Sequence, residues 1–236
     1  VVVKLDHPCF NQFRFNTEGS EIELHVTAGK DVAALLMECA RCGHGGLEAM
    51  AGIPSTIGGA IRMNAGGVYG CISDSLRTIT CLKDRGELVT YDKDTIVFGY
   101  RECRVADPII LSATFKLRES DPDSLRDRIK EIFAWKKSTQ PLADSSAGCA
   151  FKNPKDEEGQ RISAGKLIDE AGLKGHTSGG ATVSDHHANF IVTKPTTTAR
   201  DVLTLMDYVK DRVFDSTGIV LQREVVVWSK DPEVQR

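Results

Sequence analysis

Between Ala51 and Gly70 the chain reads AGIPSTIGGAIRMNAGGVYG, with glycine at 52, 58, 59, 66, 67 and 70 and with Pro54 and Asn64 among them. Glycine is costly inside regular elements, so this density predicts backbone that turns sharply or lets a flat, phosphorylated ligand come close. Pro54 fixes one φ, Ser55 and Thr56 offer hydroxyls and N–H groups, and Gly58 and Gly59 remove side chains that would block a ring. Neither G-x-x-x-x-G-K-[ST] nor G-x-G-x-x-G is present, so the segment is not one of the two common phosphate loops. Glycine-rich turns joining short strands are the competing account.

Three further places concentrate reactive groups. In Phe98-Gly99-Tyr100-Arg101 an arginine at a glycine-assisted bend can present a planar, permanently charged fork to a carboxylate or phosphate; a plain surface arginine is the alternative. In Ser145-Ser146-Ala147-Gly148-Cys149-Ala150-Phe151-Lys152-Asn153-Pro154 a thiol stands three residues from an ammonium, which suits proton transfer near neutral pH, although an inert cysteine is the commoner case. Glu224, between Arg223 and an apolar run, fits a general acid or an enol-stabilising group if turned inward, and a solvated strand-edge acid if not. The adjacent His186 and His187 would face opposite sides of a strand and cannot share one ion, so no metal is expected there. A thiol hydrolase with Cys149 as nucleophile and one of these histidines as base is a further reading of the same residues.

The elements that must position these groups follow from periodicity. Strands are predicted at Val1–Leu5, Gln12–Asn16 and Glu21–Thr27, the last with Ile22, Leu24 and Val26 inward. A helix is predicted over Asp31–Arg41, capped by Asp31 and stopped by Gly43 or Gly45. Ser75–Leu82 and Glu87–Tyr91 form a hairpin around Lys83–Gly86. Asp107-Pro108 opens a strand in which Ile109, Leu111, Ala113, Phe115 and Leu117 share one face. Ser120–Asp123 is a turn-and-cap cluster before a helix over Ser124–Lys137, and the domain junction is placed there, giving domains 1–119 and 120–236. Beyond it are predicted a short helix at Gly165–Ala171, a strand at His187–Thr193, a long helix at Thr198–Thr217 and a closing strand at Ile219–Trp228. The first half therefore reads as α+β and the second as a compact α/β layer.

Bulk properties exclude several classes. The 236 residues carry a net charge of −3, with 41% hydrophobic and 27% charged residues, which argues for a globular protein and against a nucleic-acid partner. No apolar run approaches the length that crosses a bilayer, and a cytoplasmic protein is expected. Seven scattered cysteines fit thiols better than a disulfide framework; Cys39 and Cys42 form the single C-x-x-C, inside a helical pattern and without partners for a zinc site. VVVKLD reads as a strand already in progress, so an upstream segment is expected.

Taken in order, these segments resemble the UDP-N-acetylenolpyruvoylglucosamine reductase family. Gly52-Ile53-Pro54-Ser55-Thr56-Ile57-Gly58-Gly59-Ala60 resembles its flavin loop GIPGTVGGA, continued by Asn64-Ala65-Gly66. Gly99-Tyr100-Arg101 resembles GYR, Ser146–Pro154 resembles SAGSxFKNP, Val183–Phe190 resembles VSxxHxNF, and Leu221–Val225 resembles LEPEV. The resemblance implies an α+β fold, with an FAD-binding domain of the vanillyl-alcohol-oxidase/PCMH-like type followed by a smaller α/β substrate-binding domain. It implies FAD and NADPH as cofactors and UDP-N-acetylenolpyruvoylglucosamine as substrate, in a cytoplasmic monomer of peptidoglycan synthesis. Arg101, Cys149 and Glu224 would be catalytic; Gly52, Ile53, Pro54, Ser55, Thr56, Gly58, Gly59, Asn64, Ala65 and Gly66 would hold flavin; Tyr100, Lys152, Asn153 and Asn189 would hold substrate.

The sequence departs from the family pattern at Ser55, where a glycine is usual, and at Cys149, where most members carry the proton-donating serine. A thiol gives up its proton more readily than a hydroxyl, so activity is expected to survive the change. The family's GGGSN-like pyrophosphate loop would lie before Val1, and the Arg101–Cys149 connection has the shorter-loop form without the extra substrate-contacting tyrosine. A sugar-nucleotide-binding fragment without flavin is the non-enzymatic alternative.

Overall fold

The computed structural model describes residues 4–107 and 109–229. Val1–Val3 of the expected first strand and Pro108 lie outside these residues, and Lys4 and Leu5 carry no regular structure. The chain divides into two compact units, Val1–Trp135 and Lys136–Arg236.

In the first unit, β1 (Phe13–Glu18) and β2 (Glu21–Thr27) form an antiparallel hairpin, and β2 alternates as its sequence demands, with Ile22, Leu24 and Val26 buried. Helix α1 (Val32–Cys42) follows. The carboxylate of Asp31 accepts from the Ala34 N–H at 2.8 Å, and Gly43 ends the helix at φ +70°. Next come β3 (His44–Gly45), α2 (Ile57–Arg62), the two-residue strands β4 (Gly66–Gly67) and β5 (Gly70–Cys71), β6 (Leu76–Leu82), β7 (Leu88–Asp92), β8 (Val97–Gly99), β9 (Glu102–Arg104) and β10 (Ile109–Glu119). The main sheet runs β1-β2-β10-β6-β7, with β3 also paired to β10.

The alternation expected along β10 is broken. Its pairing with β6 slips between Ile110 and Ser112, so Ile110, Ala113, Phe115 and Leu117 face the core rather than Ile109 and Leu111. A bulge adds one residue to one strand, and with a side-chain period of two that moves the residues before it to the other face. Helix α3 (Pro122–Thr139) starts at the expected turn, and its Ile132 joins the core of the first unit. Glu48, just ahead of the glycine segment, is buried with both carboxylate oxygens engaged. Arg118 donates to one at 2.7 Å and the Gly46 N–H to the other at 2.8 Å, which is the condition under which a buried carboxylate is tolerated.

The second unit contains a small antiparallel sheet ordered β11-β14-β13-β12, from β11 (Ser146–Cys149), β12 (Thr177–Ser178), β13 (Ala181–Val183) and β14 (Phe190–Thr193). Helices α4 (Ala164–Glu170) and α5 (Ala199–Thr217) complete it, and Phe151, Ile168, Leu205, Met206, Val213 and Leu221 fill its core. Helix α5 begins with a capping box in which Thr198 and Asp201 satisfy each other's backbone N–H. Two expectations fail here. The strand predicted from His187 starts only at Phe190, because Ala188 and Asn189 form a turn. No strand forms over Ile219–Trp228 either. The segment makes a single bridge, Arg223 to Phe151, and beyond it Val226 and Trp228 are 70% and 79% exposed, since among the described residues nothing continues the ladder past Glu224.

Candidate functional site

The glycine segment folds back on the start of α1. Val32 donates its N–H to Ser55 O at 3.0 Å, Ile57 to Lys30 O at 2.9 Å and Gly58 to Ala28 O at 2.9 Å. The N–H groups of Ile57 and Gly58 are thus committed to the protein. Gly58 is glycine for a packing reason: a Cβ there would sit 2.9 Å from the Ala28 Cβ. Gly66 is set likewise by the β4–β5 hairpin, where a Cβ would meet Gly70 O at 2.4 Å. Gly59 differs; it is exposed, and a Cβ there would meet only the Thr56 hydroxyl at 3.5 Å. Thr56 caps α2 by accepting from Gly59 N–H.

Two polar atoms of this segment are buried without a protein partner, Ser55 Oγ and Asn64 Oδ1. Buried polar atoms are nearly always satisfied, so such a pair in one segment marks a place built for a group that brings its own donors. A flavin ring and a ribityl chain carry N–H and O–H donors of this kind, and Gly59 leaves open surface beside them. The buried oxygens of Ser55 and Asn64 and the open side of Gly59 are therefore chemically compatible with FAD.

Arg101 is brought to the same segment. It lies in the two-residue turn joining β8 and β9, and the left-handed backbone falls on the arginine itself, φ +58°, rather than on Gly99. Its Nη1 donates to Gly66 O at 3.1 Å and its guanidinium lies 4.9 Å from the centre of the Tyr100 ring. Asn64, also left-handed at φ +40°, donates from Nδ2 to Gly99 O at 2.9 Å. The Cys71 thiol is held above its ordinary pKa, first by burial and then by Asp74, with Arg101 pulling the other way.

In the second unit Cys149 ends β11, directly across from Phe190 and beside Gly148 at φ +80°. The chain then runs between two neighbours. Ala150 N–H donates to Asn189 O at 2.7 Å, Glu224 N–H donates to Ala150 O at 2.8 Å, and Lys152 N–H donates to Gln222 O at 2.8 Å. Cys149 and Glu224 are thereby placed at neighbouring backbone positions, both half-buried. Arg223 turns away to Asp207 on α5.

The expected substrate residues separate. Asn189 is buried, with its Oδ1 accepting from Phe151 N–H at 2.9 Å and its Nδ2 donating to Phe151 O at 2.8 Å, so its carboxamide holds the strand after Cys149. Asn153 Oδ1 accepts from Ala164 N–H at 2.9 Å, at the start of α4. Lys152 keeps a half-buried side chain with no ion pair among the described residues. His186 and His187 diverge, the first to Ser138 O and the second accepting from Asn189 N–H, and no group of three or more metal-ligating side chains occurs among the described residues. Sequence reasoning missed Ala28, Gly99 and Gln222, which act through a methyl or a backbone carbonyl; a side chain's chemistry gives no signal of such roles.

No helix among the described residues is long and apolar enough to cross a membrane. Residues 1–92 match the model of an FAD binding domain, and residues 140–228 match that of the UDP-N-acetylenolpyruvoylglucosamine reductase C-terminal domain. The UDP-N-acetylenolpyruvoylglucosamine reductase of Syntrophobacter fumaroxidans is 39% identical over 207 residues, covering 87% of this chain and 59% of that protein. The one from Prochlorococcus marinus is 38% identical, covering 89% of this chain and 73% of its own length. A crystal structure of the reductase from Thermus caldophilus superposes with a TM-score of 0.75 at 38% identity, over 87% of this chain and 72% of that one. The chain, an α+β protein with an FAD-binding part and a reductase C-terminal part, belongs to the UDP-N-acetylenolpyruvoylglucosamine reductase family.

Proposed function

We propose that the protein reduces UDP-N-acetylenolpyruvoylglucosamine to UDP-N-acetylmuramate with NADPH, through FAD, as a cytoplasmic monomer in peptidoglycan precursor synthesis. Flavin binding is assigned to residues up to 119 and substrate binding to residues from 120. The observation that carries the reading is the joining of two reactive groups to family motifs in each unit: Arg101 to the glycine segment through Gly66, and Glu224 to Cys149 through Ala150. Because the chain spans 59% of the length of its Syntrophobacter relative, the whole protein's activity is argued from these residues rather than transferred.

When bound, FAD supplies the hydride that passes from NADPH to the enolpyruvyl double bond. The chain's own groups handle charge and proton. As hydride adds to the methylene carbon, negative charge develops on the neighbouring carbon and its carboxylate. Arg101, fixed over the Tyr100 ring, offers a planar pair of donors to that carboxylate. Glu224 stabilises the enol form. Cys149 transfers the Sγ proton to the carbon that bore the charge, and the thiolate left behind regains a proton from water. Lys152 serves the diphosphate as a point charge, and Tyr100 and Asn153 complete the substrate contacts, with Asn189 acting through Phe151.

Stopped-flow spectroscopy of Cys149→Ala tests the assignment. NADPH should bleach the flavin at the wild-type rate while the enolpyruvyl substrate no longer restores the colour, since only the second half-reaction needs the donor. Loss of both half-reactions together would remove Cys149 from the role. A colourless preparation that takes up no added FAD would instead favour the sugar-nucleotide-binding fragment.

A further inference from the structure

Asn64 stands where the glycine segment leaves α2, and it is 7% exposed. Its carboxamide reaches away from its own segment: Nδ2 donates to Gly99 O at 2.9 Å. Two residues on, Gly66 O accepts from Arg101 Nη1 at 3.1 Å. The same two stretches are therefore tied twice, in opposite senses, side chain 64 to backbone 99 and side chain 101 to backbone 66. Both tied side chains belong to non-glycine residues in the left-handed region, Asn64 at φ +40° and Arg101 at φ +58°. For arginine that conformation costs about 1–2 kcal/mol and persists only when the surroundings over-determine it. Gly66 is held in the β4–β5 hairpin opposite Cys71, so close that a Cβ there would meet Gly70 O at 2.4 Å and Cys71 Cα at 2.7 Å.

We propose that Asn64 is a positioning residue for Arg101, its carboxamide linking the cofactor seat to the turn that presents the guanidinium. The inference rests on the reading of Arg101 given above. Asn64 Nδ2 fixes the turn, and the buried Oδ1, which no protein donor satisfies, remains for an N–H of the ligand in the seat. One planar group serves both, so a donor arriving at Oδ1 locks the rotation that holds Gly99. Filling the seat and ordering Arg101 are then coupled events, and each favours the other by the same factor.

The test has two arms. In flavin-free protein, hydrogen exchange of the 97–104 peptide is compared between wild type and Asn64→Gly, which accepts the left-handed backbone but lacks the side chain. Exchange at 99–102 should rise about tenfold, the scale of one buried hydrogen bond, with β2 and β10 unchanged. Asn64→Asp, which keeps the shape and removes the donor, should give the same rise and guards against a misfolded glycine variant. Exchange unchanged in both variants overturns the inference. In the loaded enzyme, Asn64→Gly should slow oxidation of reduced flavin by substrate about tenfold, but less than about twofold when Arg101 is already alanine. Equal losses in both backgrounds would mean that Asn64 does not act through Arg101. If Arg101→Ala alone leaves that rate unchanged, the catalytic reading of Arg101 falls, and the exchange arm still decides whether Asn64 holds the turn.

Discussion

Replacing Asn189 by leucine should destabilise the second unit severely, although leucine has the same branched arrangement of side-chain heavy atoms. The asparagine is 2% exposed, and its two amide ends satisfy both backbone groups of Phe151, at 2.9 and 2.8 Å. Leucine excludes water from the same space and leaves the Phe151 N–H and C=O both buried and unmatched. An orphaned buried backbone group costs about 1–3 kcal/mol, so the pair together costs about 2–6 kcal/mol, well above the net worth of two ordinary hydrogen bonds. Urea denaturation followed by far-ultraviolet circular dichroism reads this as a fall in midpoint at constant slope. The consequence reaches the candidate site, since Ala150 N–H donates to Asn189 O and Cys149 precedes it. A loss below about 1 kcal/mol would refute the reasoning, because it would mean that the Phe151 groups find other partners or were never shielded from water.

Gly58→Ala should cost the first unit about 1–3 kcal/mol, the range for overpacking a close contact, because its Cβ would lie 2.9 Å from that of Ala28. Pairing it with Ala28→Gly should recover most of the loss in a thermal melt; no recovery would point to a different obstacle. His187 has its pKa lowered, mainly by burial and further by Lys174 and His186. The unfolded chain therefore takes up the proton first as pH falls. The contribution is intact above about pH 6.5, the ordinary histidine value, and is lost as pH drops below it through the folded value. His187→Gln, neutral throughout and able to accept from Asn189 N–H, should flatten that part of the stability profile, and an unchanged slope would exclude the ring. Burial pushes the thiols of Cys39 and Cys81 up to about 12 and about 11, so mild alkylation of the native protein at pH about 8 should label exposed Cys9 and spare both, as peptide mass mapping can show. Labelling of Cys39 at the rate of Cys9 would contradict its burial in α1.

Much of this protein is legible in residue order because the relevant physics is local. Asp31, Gly43, Thr198 and Gly218 set helix ends through bonds spanning three or four residues, and β2 declares its buried face by strict alternation. The motifs around Arg101, Cys149 and Glu224 are equally readable, since a motif is a matter of residue type and spacing. Tertiary structure decided the rest. Whether β10 shows Ile109 or Ile110 to the core depends on a bulge set by its pairing with β6, in which Leu82 stands opposite Ile109 and Leu76 opposite Phe115. Whether Ile219–Trp228 forms a strand depends on a neighbouring edge, and among the described residues its single bridge is to Phe151. Glycine density at 52–70 marks a segment where side chains are unwelcome, but it cannot say what excludes them. At Gly58 it is the methyl of Ala28, at Gly66 the carbonyl of Gly70, and at Gly59 and Gly67 the space is left open. Composition records that a side chain is missing; the atoms that would have met it are brought there by distant parts of the chain.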